Sequence, residues 1–353
     1  MRKIRVNTGK EYDIIIKRGV LDRIGDLCTD VTHAQKVMIV TDTTVEKLYC
    51  QRVENSFKAL NVKVCKFVVE AGERSKSTSN LIALWEALAE NEITRSDAVI
   101  ALGGGVVGDL AGFAASCFLR GIKYVQVPTT LLAMTDSSVG GKTAVDLIAG
   151  KNLAGAFHQP AMVLCDPETL DTLGAEHFRD GMAEVIKYAM INRPDLMNKL
   201  CEYVPGDKDA IDDIIAICIE DKRDIVSEDE FDTGIRALLN FGHTPAHAIE
   251  RATKYETTHG SAVAVGMAIM TRASVKMGLC DKTVLDKLLF LLEKFGLPSE
   301  CGFSANELAI GALGDKKRSG DKISVILVCA EGDSRIYNIG ISELESIFEK
   351  GLE

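Results

Sequence analysis

The sequence lacks the patterns that mark several common classes of protein. Its ten cysteines include no pair with CxxC spacing, which argues against a zinc knuckle or a dithiol redox motif. No uncharged apolar run reaches the roughly 18 residues that a membrane span needs, and the first residues lack the continuous apolar segment of a signal peptide. We therefore expect a soluble, cytoplasmic protein.

A run of basic residues is also missing, and the formal net charge is −10 at pH 7. Both features argue against nucleic acid or an anionic membrane surface as a partner, because such polyanions attract positive charge. A small anionic substrate remains compatible, since a local group of lysines and arginines can bind it. Most cysteines, such as Cys117 and Cys165, lie in apolar runs, which predicts reduced core thiols and a reducing compartment.

The chain has 353 residues, which exceeds the usual size of one domain, so we expect two. In the first half, apolar runs at 36–42, 62–70, 97–105 and 123–130 alternate with helical patterns. Strands that are apolar on both faces and alternate with helices predict a parallel sheet covered on both sides. Sheets of this kind bind ligands at the carboxyl ends of their strands.

The pattern changes after about residue 167, where long helical periodicities dominate. They cover 175–191, 208–226, 235–255, 261–277 and 283–295, and only 323–330 and 335–340 look extended. The sequence therefore predicts an α/β, Rossmann-like dinucleotide-binding domain over 1–166, followed by a mostly α-helical domain over 167–353.

A glycine-rich motif, GGGVVGD at 103–109, follows one predicted strand and opens a helix. It fits G-x-G-x-x-G, in which glycines let backbone N–H groups approach a phosphate at a helix N-terminus. The usual acid about 20 residues downstream is missing, and Asp42 and Glu73, each just beyond an earlier strand, could contact a ribose instead. The alternative is a tight turn without a ligand.

Lysines follow glycines in a second cluster, at 135–152. Gly140 and Gly141 precede Lys142, and Gly150 precedes Lys151 and Asn152. Ammonium groups on backbone that can come close to an anion suit phosphate or carboxylate binding. A solvated loop is the alternative.

Three of the six histidines lie within seventeen residues of one another. His243 and His247 are four residues apart and share one helix face, and a helical hairpin could return His259 beside them. Glu184, in an otherwise apolar run with Lys187 three residues later, could complete a site for zinc or a similar cation. Core or capping histidines and a surface Glu–Lys pair are the alternatives, and spacing alone does not choose among the histidines.

Together these motifs resemble the 3-dehydroquinate synthases. The resemblance runs from about Asp42 to Lys317 and includes GMAEVIK, LNFGHTxxHAxE, GGGVVGDLAGF, QVPTTLLAMTDSSVGGKTAVD and GKNLAGAFHQP. It implies a homodimeric lyase of the shikimate pathway that uses NAD and one divalent metal, zinc or cobalt. Its substrate would be a small anionic sugar phosphate, 3-deoxy-arabino-heptulosonate 7-phosphate, and its products 3-dehydroquinate and phosphate.

The resemblance also implies a role for individual residues. The metal ligands would be Glu184, His243 and His259, which makes the helical domain the metal-binding one, and His247 would handle a proton. Residues that match dinucleotide contacts are Asp42, Glu73, Lys76, Gly104, Gly105, Asp109, Thr129, Thr130, Asp136, Lys142 and Lys151. Residues that match substrate contacts are Lys142, Asn152, Lys187, Lys222, Arg236, Asn240, Lys316 and, reaching a neighbouring subunit, Arg120.

Three other functions compete with this one. A polyol or glycerol dehydrogenase would leave the anion-binding residues without a purpose, and a sister sugar phosphate cyclase would not need Lys222, Arg236 and Asn240 for a carboxylate. A non-catalytic NAD-binding regulator would need no metal ligands. The chain also departs from the family pattern at Pro245 and Ser261. Because proline is tolerated only in the first turn of a helix, we predict that the helix carrying His247 begins close to Thr244.

Overall fold

The computed structural model describes residues 1–312 and 321–353 in full and the backbone of 318–319. The chain forms two compact units: Met1–Gly174 with Lys222–Phe231, and Ala175–Asp221 with Asp232–Glu353. Residues 222–231 thus pack with the first unit, although they follow part of the second in sequence. The expected division into domains at 166/167 stays a prediction.

The first unit contains a seven-stranded sheet and a separate two-stranded hairpin. Its strands are β1 (Arg2–Val6), β2 (Tyr12–Ile16), β3 (Lys36–Asp42), β4 (Lys63–Val69), β5 (Ala98–Gly103), β6 (Lys123–Pro128), β7 (Lys142–Leu147), β8 (Gly150–Phe157) and β9 (Met162–Cys165). The sheet order is β1-β2-β9-β6-β5-β3-β4, and every pairing is parallel except that of β1 with β2. The predicted parallel sheet is confirmed.

Helices cover both faces of this sheet. They are α1 (Ile24–Thr32), α2 (Gln51–Lys58), α3 (Thr78–Glu90) and α4 (Gly105–Cys117). Alternate side chains of each central strand enter different cores: Ile39 and Ile100 pack with α1 and α2, whereas Met38 and Val99 pack with α3 and α4. This arrangement explains why the strands read as continuous apolar runs.

The strand order reverses at β3. The chain passes from β3 to β4 on one side, returns to β5 on the other side of β3, and continues to β6 in that direction. Ligands of open parallel sheets bind in the crevice beyond the strand ends at such a reversal. The glycine-rich motif lies there, because β5 ends at Gly103 and α4 begins at Gly105.

The lysine–glycine segment forms a β-hairpin rather than a loop. β7 pairs antiparallel with β8, from Lys142 opposite Phe157 to Leu147 opposite Gly150. The glycines take the left-handed backbone angles expected of a turn, with φ 91° at Gly140 and 68° at Gly141. The sequence did not indicate these strands, because the segment is polar and rich in glycine; the solvated loop considered as the alternative is absent between Lys142 and Phe157.

The second unit is mostly helical. It contains α5 (Ala175–Ile191), α6 (Pro194–Glu202), α7 (Lys208–Glu228, with 222–228 in the first unit), α8 (His243–Ala252), α9 (His259–Lys276), α10 (Lys282–Lys294), α11 (Ala305–Ala312) and α12 (Leu344–Leu352). β10 (Arg318–Ser319), β11 (Lys322–Ala330) and β12 (Asp333–Gly340) form a small sheet. The helical character and the two late extended segments are confirmed, and together with the sheet of the first unit they confirm the predicted fold class.

α9 is the central helix of this unit, because it packs against α5, α8, α10, α12 and β11. α8 and α9 approach closely: a Cβ at Gly266 would lie 1.9 Å from the carbonyl oxygen of Gly242. α8 begins at His243, so Pro245 stands in its first turn, as predicted. The helical hairpin expected to return His259 toward His243 is present.

The structure also bears on membrane-spanning helices and on the burial of the cysteines. Among the described residues, no helix is both long enough and apolar enough to cross a membrane. Cys165 is buried as expected, but Cys117 is exposed. The prediction of a core thiol is therefore wrong for Cys117, because it is the last residue of α4 and lies beyond the buried Ala114 and Ala115.

Candidate functional site

Three side chains of the second unit converge on one point. Glu184 Oε1 lies 3.2 Å from His259 Nε2 and 3.5 Å from His243 Nε2. Metal–ligand bonds of about 2.0–2.2 Å place tetrahedral donors about 3.3–3.6 Å apart. The spacing of these nitrogen and oxygen atoms therefore fits one divalent cation. Within the described part of the chain, Glu184, His243 and His259 form a group of possible metal ligands. Their ligand atoms all lie within 4.8 Å of one another.

Glu184 and Lys187 form a buried ion pair rather than a surface pair. Both side chains are 1% exposed, and the Lys187 ammonium contacts Glu184 Oε2 while Oε1 faces the histidines. Burial would raise the pKa of Glu184, but Lys187 and the two histidines outweigh it and hold that pKa well below its usual range. The carboxylate is therefore ionised and bridges an ammonium and two imidazoles.

The two histidines differ in charge preference. Burial lowers the pKa of His243 to about 4 despite Glu184, so its imidazole is neutral and Nε2 is available as a ligand. Burial also opposes protonation of His259, but hydrogen bonds with Glu184 and Glu250 raise its pKa to about 10. Surroundings that stabilise a proton on His259 favour positive charge at this point, which suits a cation that replaces the proton.

The rings are also oriented for ligation. His243 Nδ1 lies 3.0 Å from the carbonyl oxygen of Phe241, so an Nδ1 proton can be donated there and leave Nε2 to face Glu184. His247 lies one turn further along α8, with its ring 5.7 Å from that of His243, but it is outside the ligand group. His259 reaches the group from the first residue of α9.

Two further predicted residues precede the histidine helix. Arg236 and Asn240 lie on the 3₁₀ helix Ile235–Asn240, immediately before α8. The Arg236 guanidinium is almost completely buried, and the Asn240 side chain donates to the carbonyl of Ala237 at 3.2 Å. A guanidinium so deeply buried is held where it can meet an anion without competing water. Lys316 and its alternative Lys317 lie outside the described residues.

In the first unit, the predicted dinucleotide residues gather at the strand ends. Gly104 is the N-cap of α4, and a Cβ on it would lie 3.1 Å from Thr130 Cγ2. The backbone N–H of Thr129 donates to Gly103 at 3.0 Å, which ties the end of β6 to the glycine motif. The N-terminus of α4 therefore combines first-turn backbone N–H groups, which have no acceptor within the helix, with the positive end of a helix dipole, as phosphate binding requires.

A lysine surrounded by carboxylates stands beside this motif. Lys76 Nζ lies 2.9 Å from Glu73, 3.4 Å from Asp109 and 3.9 Å from Asp146, and Lys151 Nζ lies 3.9 Å from Glu73. Burial opposes the charge of Lys76, but the carboxylates raise its pKa above the ordinary value. Burial raises the pKa of Asp109 to about 6, against the effect of Lys76. Four predicted dinucleotide residues thus share one charged cluster.

Asp42 and Asp136 both accept hydrogen bonds from other residues of the first unit. Asp42 Oδ1 accepts from the backbone N–H of Thr44 at 2.8 Å and of Val45 at 3.0 Å, so one oxygen caps the turn after β3. The carbonyl and Oδ1 of Asp136 accept from Lys222 Nζ at 2.6 and 2.8 Å. Residues matched to the dinucleotide and to the substrate therefore form a direct ion pair here.

The remaining predicted anion-binding residues are more exposed. Lys142 begins β7 and is exposed, and Asn152 has φ 55°, a left-handed conformation that is uncommon outside glycine. The Asn152 backbone N–H donates to Asp146 Oδ1 at 2.8 Å, which holds this turn. Arg120 is exposed and has φ 67°, on a turn that follows α4.

Two buried or partly buried acids were missed by sequence reasoning. Asp146 contacts both Lys76 and the backbone of Asn152. Its position could be predicted only from the alternation of side chains along β7, and therefore only after the hairpin had been recognised. Glu250 Oε1 lies 3.5 Å from His259 Nδ1. The sequence contained enough information to predict this contact, because positions 243, 247 and 250 share one helix face.

Comparison with known proteins agrees with this geometry. The N-terminal model of 3-dehydroquinate synthase matches residues 66–180, and the C-terminal model matches 181–318. The chain is 42% identical to the 3-dehydroquinate synthase of Clostridium kluyveri, over 98% of this chain and 97% of that protein.

Two solved structures of sugar phosphate cyclases have a similar fold. One is 2-deoxy-scyllo-inosose synthase complexed with carbaglucose-6-phosphate, NAD⁺ and Co²⁺, with a TM-score of 0.88, 26% identity, and 99% and 100% of the two chains covered. The other is 2-epi-5-epi-valiolone synthase from Streptomyces hygroscopicus with NAD⁺ and Zn²⁺ bound, with a TM-score of 0.88, 26% identity and 99% of each chain covered. From the two family models and the near full-length relative, it follows that this chain belongs to the 3-dehydroquinate synthase family.

Proposed function

We propose that this chain is a 3-dehydroquinate synthase, which converts 3-deoxy-D-arabino-heptulosonate 7-phosphate to 3-dehydroquinate and phosphate. The net reaction combines oxidation of a ring hydroxyl, loss of phosphate, reduction and an intramolecular aldol closure. The observation that carries the proposal is 42% identity to a synthase along nearly the whole chain. A non-catalytic regulator would not need the group formed by Glu184, His243 and His259.

In the second unit, Glu184, His243 and His259 would hold one zinc or cobalt ion. When bound, this ion would act as a Lewis acid on substrate oxygens. Glu184 also keeps the Lys187 ammonium at the same point, so Lys187 can donate to a substrate oxygen beside the metal ligands. His247, next to His243 but outside the ligand group, is proposed to take up and return the proton of the reacting hydroxyl.

Arg236 and Asn240 of the second unit are proposed to bind the polar groups of the substrate. The guanidinium of Arg236 is buried and can pair with a carboxylate through two parallel hydrogen bonds. Asn240, four residues later on the same 3₁₀ helix, can hydrogen-bond a hydroxyl. A carboxylate on the substrate distinguishes a heptulosonate from the sugars of sister cyclases. Lys316 is proposed as a further phosphate contact.

In the first unit, the strand ends are proposed to bind NAD, which when bound would accept and return a hydride. Gly104 and Gly105 present backbone N–H groups to the pyrophosphate, with Thr129 and Thr130 alongside. The other proposed dinucleotide contacts in this unit are Asp42, Glu73, Lys76, Asp109, Asp136, Lys142 and Lys151. The proposed substrate contacts of this unit are Lys142, Asn152 and Lys222.

A homodimer in the cytoplasm is part of the proposal. Arg120 is exposed on a turn with a left-handed backbone, which presents its guanidinium away from the core of the first unit. We propose that it reaches the phosphate of the substrate bound to a neighbouring subunit. Mixing inactive Arg120→Ala and Glu184→Ala subunits should then restore part of the activity, because one site of the mixed dimer keeps both residues.

The direct test is phosphate release from the heptulosonate phosphate with a catalytic amount of NAD. The proposal predicts many turnovers per NAD without net NADH, and loss of turnover after chelation that added Zn²⁺ or Co²⁺ restores. A control substrate, glucose 6-phosphate, lacks the carboxylate and should not react. Absence of turnover with the heptulosonate, or net accumulation of NADH, would contradict the proposal and favour a dehydrogenase.

A further inference from the structure

Glu250 is a buried carboxylate to which the proposed reaction assigns no role. It lies on α8, seven residues after His243, and is 3% exposed. Burial of a carboxylate is costly unless hydrogen bonds or opposite charge compensate it. Its Oε1 lies 3.5 Å from His259 Nδ1, on the side of the ring away from Glu184.

The two proposed metal-binding histidines are held in the same way. Each has Nε2 facing Glu184 Oε1 and an oxygen acceptor near Nδ1. For His243 that acceptor is the backbone carbonyl of Phe241, at 3.0 Å. For His259 it is the Glu250 carboxylate. An acceptor at Nδ1 fixes the tautomer that carries its proton there and leaves the Nε2 lone pair for a metal.

We propose that Glu250 is a positioning residue for the metal site, which holds the His259 ring so that Nε2 faces Glu184. A carboxylate acceptor differs from a backbone carbonyl, because its negative charge also makes the imidazole a stronger electron donor. Glu250 therefore has two effects on His259: it fixes the plane of the ring and it increases the affinity of Nε2 for a cation.

The backbone of His259 is anchored by other residues. Thr258, the N-cap of α9, accepts from the backbone N–H of Ser261 at 3.4 Å and donates to Asp180 Oδ1 at 2.6 Å. Ser261, one of the departures from the family pattern, contributes its hydroxyl 2.8 Å from that of Thr258. Because these contacts hold the start of α9, a change at Glu250 acts on the ring of His259 rather than on the position of its helix.

The test compares the affinity of the full-length protein for Zn²⁺ and Co²⁺, measured by competition with a chelator. Glu250→Leu should weaken binding by about 10-fold to 100-fold, the usual effect of removing such a partner, and Glu250→Gln by a smaller factor. Glu256→Gln, an exposed carboxylate in the turn after α8, is the matched control and should bind as the wild type does. If Glu250→Leu does not fold, Glu250→Gln decides: affinity equal to the wild type overturns the proposal.

A double-mutant cycle separates positioning from a general structural effect. In a His259→Ala background, adding Glu250→Gln should not change the metal affinity further, because the ring it acts on is missing. A further loss would show that Glu250 acts by another route and would overturn the proposal. Because the role rests on the proposed metal site, His259→Ala alone is the distinguishing variant: wild-type affinity there would mean that the site itself is wrong.

Discussion

The candidate site of the first unit is formed largely by backbone groups, whereas that of the second unit is formed by side chains. In the first unit, glycines and strand ends present backbone N–H groups, and the charged side chains around them range from the buried Lys76 to the exposed Glu73. In the second unit, Glu184 and Lys187 are almost completely buried and neutralise each other beside two histidines. A backbone site depends on close approach, whereas a buried side-chain site depends on charge balance. Substitutions at the first site should therefore weaken ligand binding, whereas substitutions at the second should also lower the free energy of unfolding.

Glu184→Gln should give the largest effect, because it removes the carboxylate that faces both the Lys187 ammonium and the histidines. Breaking a buried pair typically costs about 3–5 kcal/mol, so the free energy of unfolding should fall by that order and bound metal should be lost. Denaturant unfolding and metal analysis check both. The matched variant Glu184→Gln/Lys187→Met should recover stability but not metal. A stable, metal-replete Glu184→Gln protein would contradict the charge-balance view.

Gly104→Ala should affect binding but hardly affect folding. Its φ of −77° is allowed for alanine, and the new Cβ would be 3.1 Å from Thr130 Cγ2, at the N-terminus of α4. We expect NAD to bind about tenfold more weakly, a change of about 1.4 kcal/mol, with the melting temperature nearly unchanged. Gly302→Ala, where a Cβ meets nothing within 4 Å, is the control. Unchanged NAD affinity would show that phosphate does not approach this backbone.

A further prediction concerns Asp109, whose pKa burial raises from 3.8 to about 6. A carboxyl group with a raised pKa in the folded state binds its proton more tightly there than in the unfolded chain. Its favourable contribution is complete below pH 4 and is lost as pH rises through 6. Asp109→Asn should therefore flatten the fall in unfolding free energy between pH 4 and 6. Identical pH profiles for variant and wild type would mean that Asp109 is not desolvated.

Much of the first unit follows from local sequence pattern. Continuous apolar strands alternating with helices predicted the parallel sheet, and GGGVVGD predicted the helix that begins at Gly105. Short or polar elements of both units were missed: β1 has five residues and the β7–β8 hairpin is rich in glycine, while α11 and α12 of the second unit have eight and nine residues. Such elements are too short for a periodicity to emerge, and their positions come from tertiary contacts.

The candidate metal group could be only partly predicted. Three histidines in one window signalled a site, but helical spacing fits His243 and His247 as well as His243 and His259. The choice depends on α5 and α8 both packing against α9, which brings Glu184 beside the histidines. No local period encodes that contact between distant segments. Resemblance to a family supplied the ligand set, and the geometry of the second unit agrees with it.

The most direct test of the side-chain site is the metal content of His243→Ala, His247→Ala and His259→Ala proteins, purified alike and compared with their turnover. We predict that His243→Ala and His259→Ala lose most of the metal, while His247→Ala keeps it and loses turnover. If His247→Ala lost its metal and His259→Ala kept it, the ligand group would be wrong.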